Sequence, residues 1–497
     1  MIEHTLQDRY LNLENTKMGA SVYGLVIAAA ILVSAICTTA IIIDLSQIHI
    51  FRHDSVYYLN HYLYKLKGEG RWLNYLFFPY LKMIPGQIAV YLNVLLFFSF
   101  CYIAFNKWTK NIVYSFLLAL LFIQFYPLYS QVLWPATLLP SLAILVVAAL
   151  LTPRLPLFVF YSLFGLLFLG TLSIFYYLLP LLHINLLDTP SLKNNIRIVL
   201  IKIIPAWALG FIFGYLVAST IIYFLTGQYG IEIDAWRSPH YIHNIHDLIS
   251  NSHRSLLSLT THTREILSGY WRPVAFVAAL LVGLAGSYRH QSVPLILLSV
   301  AIVVSHYVIT LPVGIDIHER TVIANWVGIF CCALLIPSIE RWQQILVLPI
   351  ITLLTVSFYL HNHRSLQWYT TVTNTYYDEL LAASPLPPHQ YSGVIMLGND
   401  DGITKVNRGL ESKHQLKKGA QEHLDNNYRW MPAAHEAGFR DVILCVNKQS
   451  SGCDRQISRS IEPPTSGKSG LYRVIGESND GYLIITFNSD QPGNTVQ

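Results

Sequence analysis

Long uncharged apolar runs, separated by short polar connections, fill residues 19–361 of the chain. The first, Gly19 to Ile43, is too long for the core of a signal peptide, and the mixed-charge residues 1–18 before it lack a cleavable pattern, so it is read as a retained membrane span. Further runs of spanning or near-spanning length lie at about 86–105, 112–133, 135–151, 156–187, 198–226, 273–287, 293–311, 321–339 and 343–361. The stretch 156–187 is too long for one upright span and is interrupted by Gly165, Gly170 and Pro180. It is read as either one strongly tilted helix or a hairpin of two.

Charge chooses between them. With a cytoplasmic N-terminus and a hairpin, the inner connections hold Lys107 and Lys110, then Arg154, then Lys193, Arg197 and Lys202, then Arg289, then Arg341. The outer connections at 127–135 and near Gly170 hold no cation, as the positive-inside bias expects. The fold class predicted is therefore an all-α polytopic membrane protein of about 10 or 11 transmembrane helices, with its C-terminal tail outside. Two outer loops break the charge pattern: 44–85 holds Arg52, Lys65, Lys67, Arg71 and Lys82, and 227–272 holds Arg237, Arg254, Arg264 and Arg272. Cations on the disfavoured side suit an anionic lipid headgroup.

From Asn362 onward the chain turns polar. The strand-like runs GVIMLG, DVILCV and GYLIITF, with a helix expected around Gln421 to Gly438, predict a small extramembrane α/β domain over 362–497. EPPTSGKSG, Glu462 to Gly470, reads as a loop. Cys445 and Cys453 lie close together in this tail, and a disulfide between them requires an oxidising compartment, which an outside tail supplies. Composition agrees with the membrane reading: 53% of residues are hydrophobic, 12% are charged and mean hydropathy is +0.43. A net charge of +5 with no clustered basic face excludes nucleic acid as a partner.

Transfer of a sugar from a lipid phosphate needs a base for the acceptor hydroxyl, cations for the departing phosphate and a cleft that admits lipid and sugar. Asp54, preceded by Arg52-His53 and followed by Tyr57, Tyr58, Tyr62 and Tyr64, is the first choice of base. It also fits the N-cap of an amphipathic interfacial helix, and the two roles are compatible. Asp44 is the second choice, beside a plainer role as a solvated carboxylate closing the first span. In Gly68 to Trp72, GEGRW, Arg71 is placed to meet a phosphate with its planar fork, while the plainer reading is a turn followed by an interfacial Trp72. The connection LPVGIDIHERTV sets Asp316, His318, Glu319 and Arg320 at an expected helix start, a good anion site or an ordinary snorkelling arginine. Arg272, at the start of another span, is a further phosphate ligand, and Tyr57, Tyr58, Trp72, His318 and Glu319 are the expected substrate-lining side chains. His240, His243, His246, His253 and His262 lack the spacing of a metal motif and read as solvated surface histidines. Asn399-Asp400-Asp401-Gly402 reads as a turn. No cofactor is called for, with a divalent metal the open alternative.

An aspartate in the first outer loop, aromatic and basic interfacial segments, an arginine at a later span start and an outer C-terminal domain together resemble the GT-C superfamily of polyprenyl-phosphate-sugar-dependent glycosyltransferases. His53-Asp54-Ser55 followed by Gly70-Arg71-Trp72 is similar to the Asp-Asp and Gly-Arg pair of serotype-converting O-antigen glucosyltransferases, with one carboxylate here where that family has two. The resemblance implies an inverting transfer, on the periplasmic face of a bacterial inner membrane, from an undecaprenyl-phosphate-linked sugar to a saccharide acceptor. The competing readings are a flippase or transporter of a lipid-linked saccharide, and a polysaccharide polymerase or ligase. The first would place ionisable residues mid-membrane and show repeated halves, whereas here charges gather at one interface.

Overall fold

The computed structural model describes residues 17–48, 63–81, 83–132, 134–231, 233, 237–269, 271–285, 289–335, 341–398, 409–410, 412–414, 430–446, 460–461, 471–478 and 480–487. The chain forms two compact units, Met1–Ile42 with Tyr62–Asn362, and Ile43–His61 with His363–Gln497.

The first unit is helical and membrane-spanning. Its elements are most of α1 (Lys17–Ser46), then α2 (Leu63–Glu69), α3 (Trp72–Leu81), α4 (Gly86–Thr109), α5 (Ile112–Phe122), α6 (Tyr126–Val132), α7 (Pro135–Leu151) and α8 (Leu157–Leu169). A long 3₁₀ helix (Ser173–Leu187) follows, then α9 (Leu192–Thr226), α10 (Ile245–Ile266), α11 (Trp271–Leu284), α12 (Arg289–Thr310), α13 (Ile323–Leu335) and the first part of α14 (Arg341–Ala383). Among the described residues five helices, within α1, α4, α9, α12 and α14, are long and apolar enough to cross a bilayer, and α10 with α11 makes a sixth if that pair, bent by 94°, counts as one. Leu25, Leu32 and Ile36 on α1 and Phe213, Leu216 and Phe224 on α9 stay exposed, as side chains that face lipid do.

The stretch 156–187 folds as a hairpin. Chain reversal brings the Tyr161 hydroxyl to His183 Nδ1 at 3.0 Å, with Phe160 edge-on to the same ring. The returning limb is 3₁₀ over 15 residues. At about 2 Å rise per residue this conformation reaches about 30 Å, the thickness of a hydrocarbon core. On its other side, α8 packs against α9 through small residues: Cβ atoms built on Gly210 and Gly214 would lie 2.6 Å from the backbone of Tyr161 and Gly165. This Gly210-x-x-x-Gly214 pair lets the two helices approach at backbone distance.

The expected span at 112–133 breaks in two. Pro127 has no N–H to donate and so cannot continue a helix arriving from its N-terminal side: α5 stops at Phe122, and α6 restarts at Tyr126 with the proline in its first turn, where the missing N–H costs nothing. Residues 117–130 are buried throughout, the condition under which broken backbone is tolerated at membrane depth.

Polar side chains tie the helices at two opposite ends. At one, Lys107 donates to Ala149 O (3.0 Å), Trp108 to Leu335 O (2.9 Å), Lys110 pairs with Asp188 (2.7 Å) and Gln343 donates to Val282 O (2.7 Å). At the other, Asn74 donates to Thr137 O (3.1 Å), Asn93 to Pro135 O (2.9 Å), and the Leu73 and Asn74 amides to Gly170 O (2.9 and 3.1 Å).

In the second unit, α14 continues as one helix past the end of the apolar run at 361, and its C-terminal part buries Trp368, Tyr369, Val372, Tyr376 and Leu380. The five-stranded sheet has the order β2-β1-β5-β4-β3, from β1 (Gly393–Gly398), β2 (Val442–Val446), β3 (Ser460–Ile461), β4 (Tyr472–Ser478) and β5 (Tyr482–Phe487). The central β2-β1-β5 pairs are parallel and β5-β4-β3 antiparallel. The three runs anticipated from the sequence are the parallel strands, and β4 and β3 were not foreseen. The short α15 (Trp430–Glu436) falls inside the expected helix, of which 421–429 lie outside the described residues.

Candidate functional site

The densest ionic cluster among the described residues sits where the connection between α1 and α4 meets the loop before α10. Glu69 ends α2, and its buried carboxylate pairs with Lys65 one turn earlier and with Arg71 just beyond the helix. Arg237 reaches the same Oε2 from the loop before α10, at 3.7 Å. Oε2 meets the two guanidinium groups as ion pairs without hydrogen-bond alignment. Gly70 makes the geometry attainable: φ of +69° carries the chain around the end of α2, and a Cβ there would lie 2.6 Å from Ile231. Burial by itself would raise the Glu69 pKa, but Arg71, Lys65 and Arg237 overcome it and hold the carboxyl at about 2.

Arg237 joins this cluster to the connection before α13. The Asp316 amide donates to Arg237 O at 3.2 Å, His240 to Val313 O at 2.8 Å and Ile242 to Pro312 O at 3.3 Å, so the two loops run together as a short backbone ladder. Helix α10 clamps both. Asn251 donates to His240 O (2.7 Å) and Leu311 O (3.0 Å), and Arg254 to Gly314 O (2.8 Å). A Cβ on Gly314, at φ +58°, would lie 2.4 Å from Asn251 Oδ1, so this position accepts only glycine. The start of α10 is fixed by a capping box between Asn244 and Asp247.

Beyond that ladder, Glu319–Thr321 form a single 3₁₀ turn, and α13 begins only at Ile323, so the helix N-terminus expected around Arg320 lies later in the chain. Arg320 lies over the Trp134 ring, 4.2 Å from its centroid. His318 is partly buried, and that burial, with the Arg320 and Arg237 charges, holds its pKa below the usual histidine value.

Of the phosphate ligands read from the sequence, Arg71 and Arg320 thus belong to one connected region, with Arg237 between them. Arg272 stands apart: buried in the helix bundle, it donates Nε to Ser357 Oγ at 3.3 Å and lies 4.5 Å over the Phe358 ring. Trp72 has a packing role, its indole lying against Gly170 at the hairpin tip, where a Cβ would come within 2.6 Å. Asp54, Tyr57 and Tyr58 lie outside the described residues, as do Asn399 to Gly402.

Asp44, in the second unit, is no solvated span end. It is buried and bonded to His363 Nδ1 at 2.8 Å. His363 was missed by sequence reasoning because 319 residues separate the partners. The histidines of the 229–272 loop divide. His240, His243, His246 and His253 are exposed, whereas His262 is buried, its Nδ1 2.9 Å from the Tyr307 hydroxyl, which also accepts from Asn325 (2.7 Å). No group of three or more His, Cys, Asp or Glu placed to hold a metal occurs among the described residues. Cys445 is disulfide-bonded, and Cys453, its expected partner, lies outside the described residues.

Comparison with protein-family models, curated proteins and solved structures finds no significant match to this chain.

Proposed function

We propose that the protein is an inverting glycosyltransferase that moves a sugar, glucose by the resemblance, from undecaprenyl phosphate to a lipid-linked O-antigen or another envelope polysaccharide, on the periplasmic face of a bacterial inner membrane. The observation that carries the reading is the convergence of Arg71, Lys65 and Arg237 on Glu69, joined through Arg237 to the loop of His318 and Arg320. As the acceptor oxygen bonds to the anomeric carbon, the bond from that carbon to the donor phosphate breaks, and the departing polyprenyl phosphate gains one negative charge. Guanidinium groups already fixed in place offset that charge without reorganising. Glu69 fits this role as the counter-ion that holds the forks of Arg71 and Arg237 in position.

Asp54 takes the acceptor proton in this scheme, with Asp44 as the alternative base, and Arg272 is a secondary phosphate ligand. In this scheme the cation-rich helix ends at 107–110, 154 and 193–202 face the cytoplasm, and the Glu69 cluster and the 362–497 domain lie on the periplasmic side, a reading that the positive-inside bias supports. The deciding experiment reconstitutes the protein with polyprenyl-phosphate glucose and a lipid-linked saccharide. Transfer is expected in the native protein and absent in Asp54→Asn with insertion unchanged. Wild-type transfer by that variant, or movement of the donor without covalent product, would overturn the assignment.

A further inference from the structure

At the helix ends opposite the Glu69 cluster lies a cavity of about 540 Å³. Two amines stand on its wall, Lys107 from the end of α4 and Lys202 from α9, and His183 of the long 3₁₀ helix and Thr152 also line it. The remainder of the wall is mostly apolar, with Leu155, Leu157, Leu182, Leu186 and Ile198. Among the described residues neither lysine pairs with a carboxylate, while Asp188, just past the end of the 3₁₀ helix, is taken by Lys110 and Gln291, both at 2.7 Å.

Two irregular helices build this wall. Ile198 and Lys202 belong to a π-helical turn, Ile198–Ile203, within α9, and Leu182, His183, Asn185 and Leu186 to the end of the 15-residue 3₁₀ helix. Both conformations are costly relative to α-helix and recur at binding sites, where they re-aim side chains. Ile198 and Lys202, four residues apart, stand on one face of α9 and line the same cavity.

We propose that this cavity binds an anionic single- or double-chain lipid, with its phosphate between Lys107 and Lys202 and its chain along the leucine wall. Positive charge beside an apolar channel, at a helix end where Arg154, Lys193 and Arg197 also lie, matches a phosphate headgroup with an attached hydrocarbon and neither part alone. The site is separate from the outer-face reading and stands without it. A bilayer phospholipid and a polyprenyl phosphate share this chemistry.

The test titrates dodecyl phosphate into the full-length protein in neutral maltoside detergent and follows thermal stabilisation, with inorganic phosphate as the headgroup-only probe. Saturable stabilisation is expected for dodecyl phosphate and none for inorganic phosphate at equal concentration. Lys107→Gln with Lys202→Gln should weaken the apparent affinity at least about tenfold, as loss of charge-assisted contacts does. Arg71→Gln should leave this component unchanged, which separates it from any binding at the outer cluster. Because Lys107 also bonds to Ala149 O, the exposed Lys202→Gln is measured alone as well and should give a smaller loss in the same direction. Unchanged affinity in the lysine variants, or equal stabilisation by inorganic phosphate, would overturn the proposal. Native mass spectrometry from nanodiscs containing phosphatidylglycerol, or phosphatidylcholine doped with polyprenyl phosphate, then identifies the source by the mass retained in wild type and lost in the double variant. No retained lipid from either bilayer would also count against it.

Discussion

Glu69→Gln isolates the ionic cluster with one amide in place of one carboxylate. The folded carboxyl titrates at about 2 against an ordinary 4.5, and each unit of pKa is worth about 1.4 kcal/mol, so the ion pairs contribute about 3 kcal/mol at neutral pH. Because the side chain is 4% exposed, solvent screening removes little of this. Three cations left without their shared partner add to the loss, in line with the 3–5 kcal/mol typical of breaking a buried pair from one side. The readout is thermal unfolding followed with a thiol-reactive dye, since Cys101 and Cys331 are fully buried in the same unit and react only once it opens. Glu69→Gln should unfold at clearly lower temperature, and Glu69→Gln with Arg237→Gln should recover part of the difference. The folded pKa lies below the unfolded one, so the stabilisation is complete above about pH 4.5 and is lost as pH falls towards 2. The gap between wild type and variant should therefore be flat from pH 5 to 7 and close below 4.5. Equal stability at pH 7, or a gap that widens in acid, would refute the account of Glu69 as the hub.

Other expectations follow from single contacts. Arg320→Lys retains charge but loses the flat stack on Trp134 and the fork, so transfer should fall about 100-fold, with the Trp134→Leu variant showing a smaller drop of the same kind. Gly214→Ala would force a methyl group into the Gly165 backbone at 2.6 Å and should cost about 1–3 kcal/mol in the dye assay, whereas Gly24→Ala, with open space around it, should cost nothing measurable. Replacing Asp44 by Asn and His363 by Gln, singly and together, should reveal a coupling of about 1.5–3 kcal/mol in thermal unfolding, and additive single effects would show the pair to be unimportant. His318 has its folded pKa depressed below 6.5, so its contribution is fully present above that pH and is lost as pH falls and the unfolded chain binds the proton first; His318→Gln should flatten the stability profile below about pH 6.5.

Hydropathy made the membrane unit legible, and its failures are instructive. It marks where lipid-compatible side chains run, so it found the cores of α1, α4, α9, α12 and α14, yet it ended α14 at 361, because the Thr-, Asn- and Tyr-rich residues that follow are poor helix formers whose helix, running to Ala383, is selected by burial of Trp368, Tyr369, Val372, Tyr376 and Leu380. It joined α5 to α6 because residues 121–133 are apolar on both sides of a break whose signal, Pro127, was present in the sequence. The Gly210-x-x-x-Gly214 pair was equally readable as a close-packing face. By contrast, nothing local announces that residues 173–187 run as 3₁₀ helix: that conformation is selected by packing within the hairpin, where Tyr161 meets His183 and the Tyr176 hydroxyl donates to Trp207 O at 2.6 Å.

The candidate site follows the same division between local and distant information. Lys65 and Glu69 stand one helical turn apart and Arg71 two residues further on, so half of the cluster was written in adjacent sequence, but the reading of GEGRW singled out Arg71 and Trp72 and gave Glu69 no role. What gives Glu69 its weight is Arg237, and Arg237 is held by its own carbonyl, which accepts from Asp316, and by the neighbouring ladder through His240, which Asn251 and the glycine at 314 allow to close. Each of those residues is unremarkable in its own stretch. A position of positive φ at Gly314 and a buried amide at Asn251 bring a loop near residue 237 and a loop near residue 316 into one ladder, and only then do Arg71 and Arg320 become parts of a single electrostatic region. The cations that break the charge pattern expected from the sequence were a second signal of that region, because charge departing from the positive-inside bias calls for a partner, and here Glu69 holds three of them.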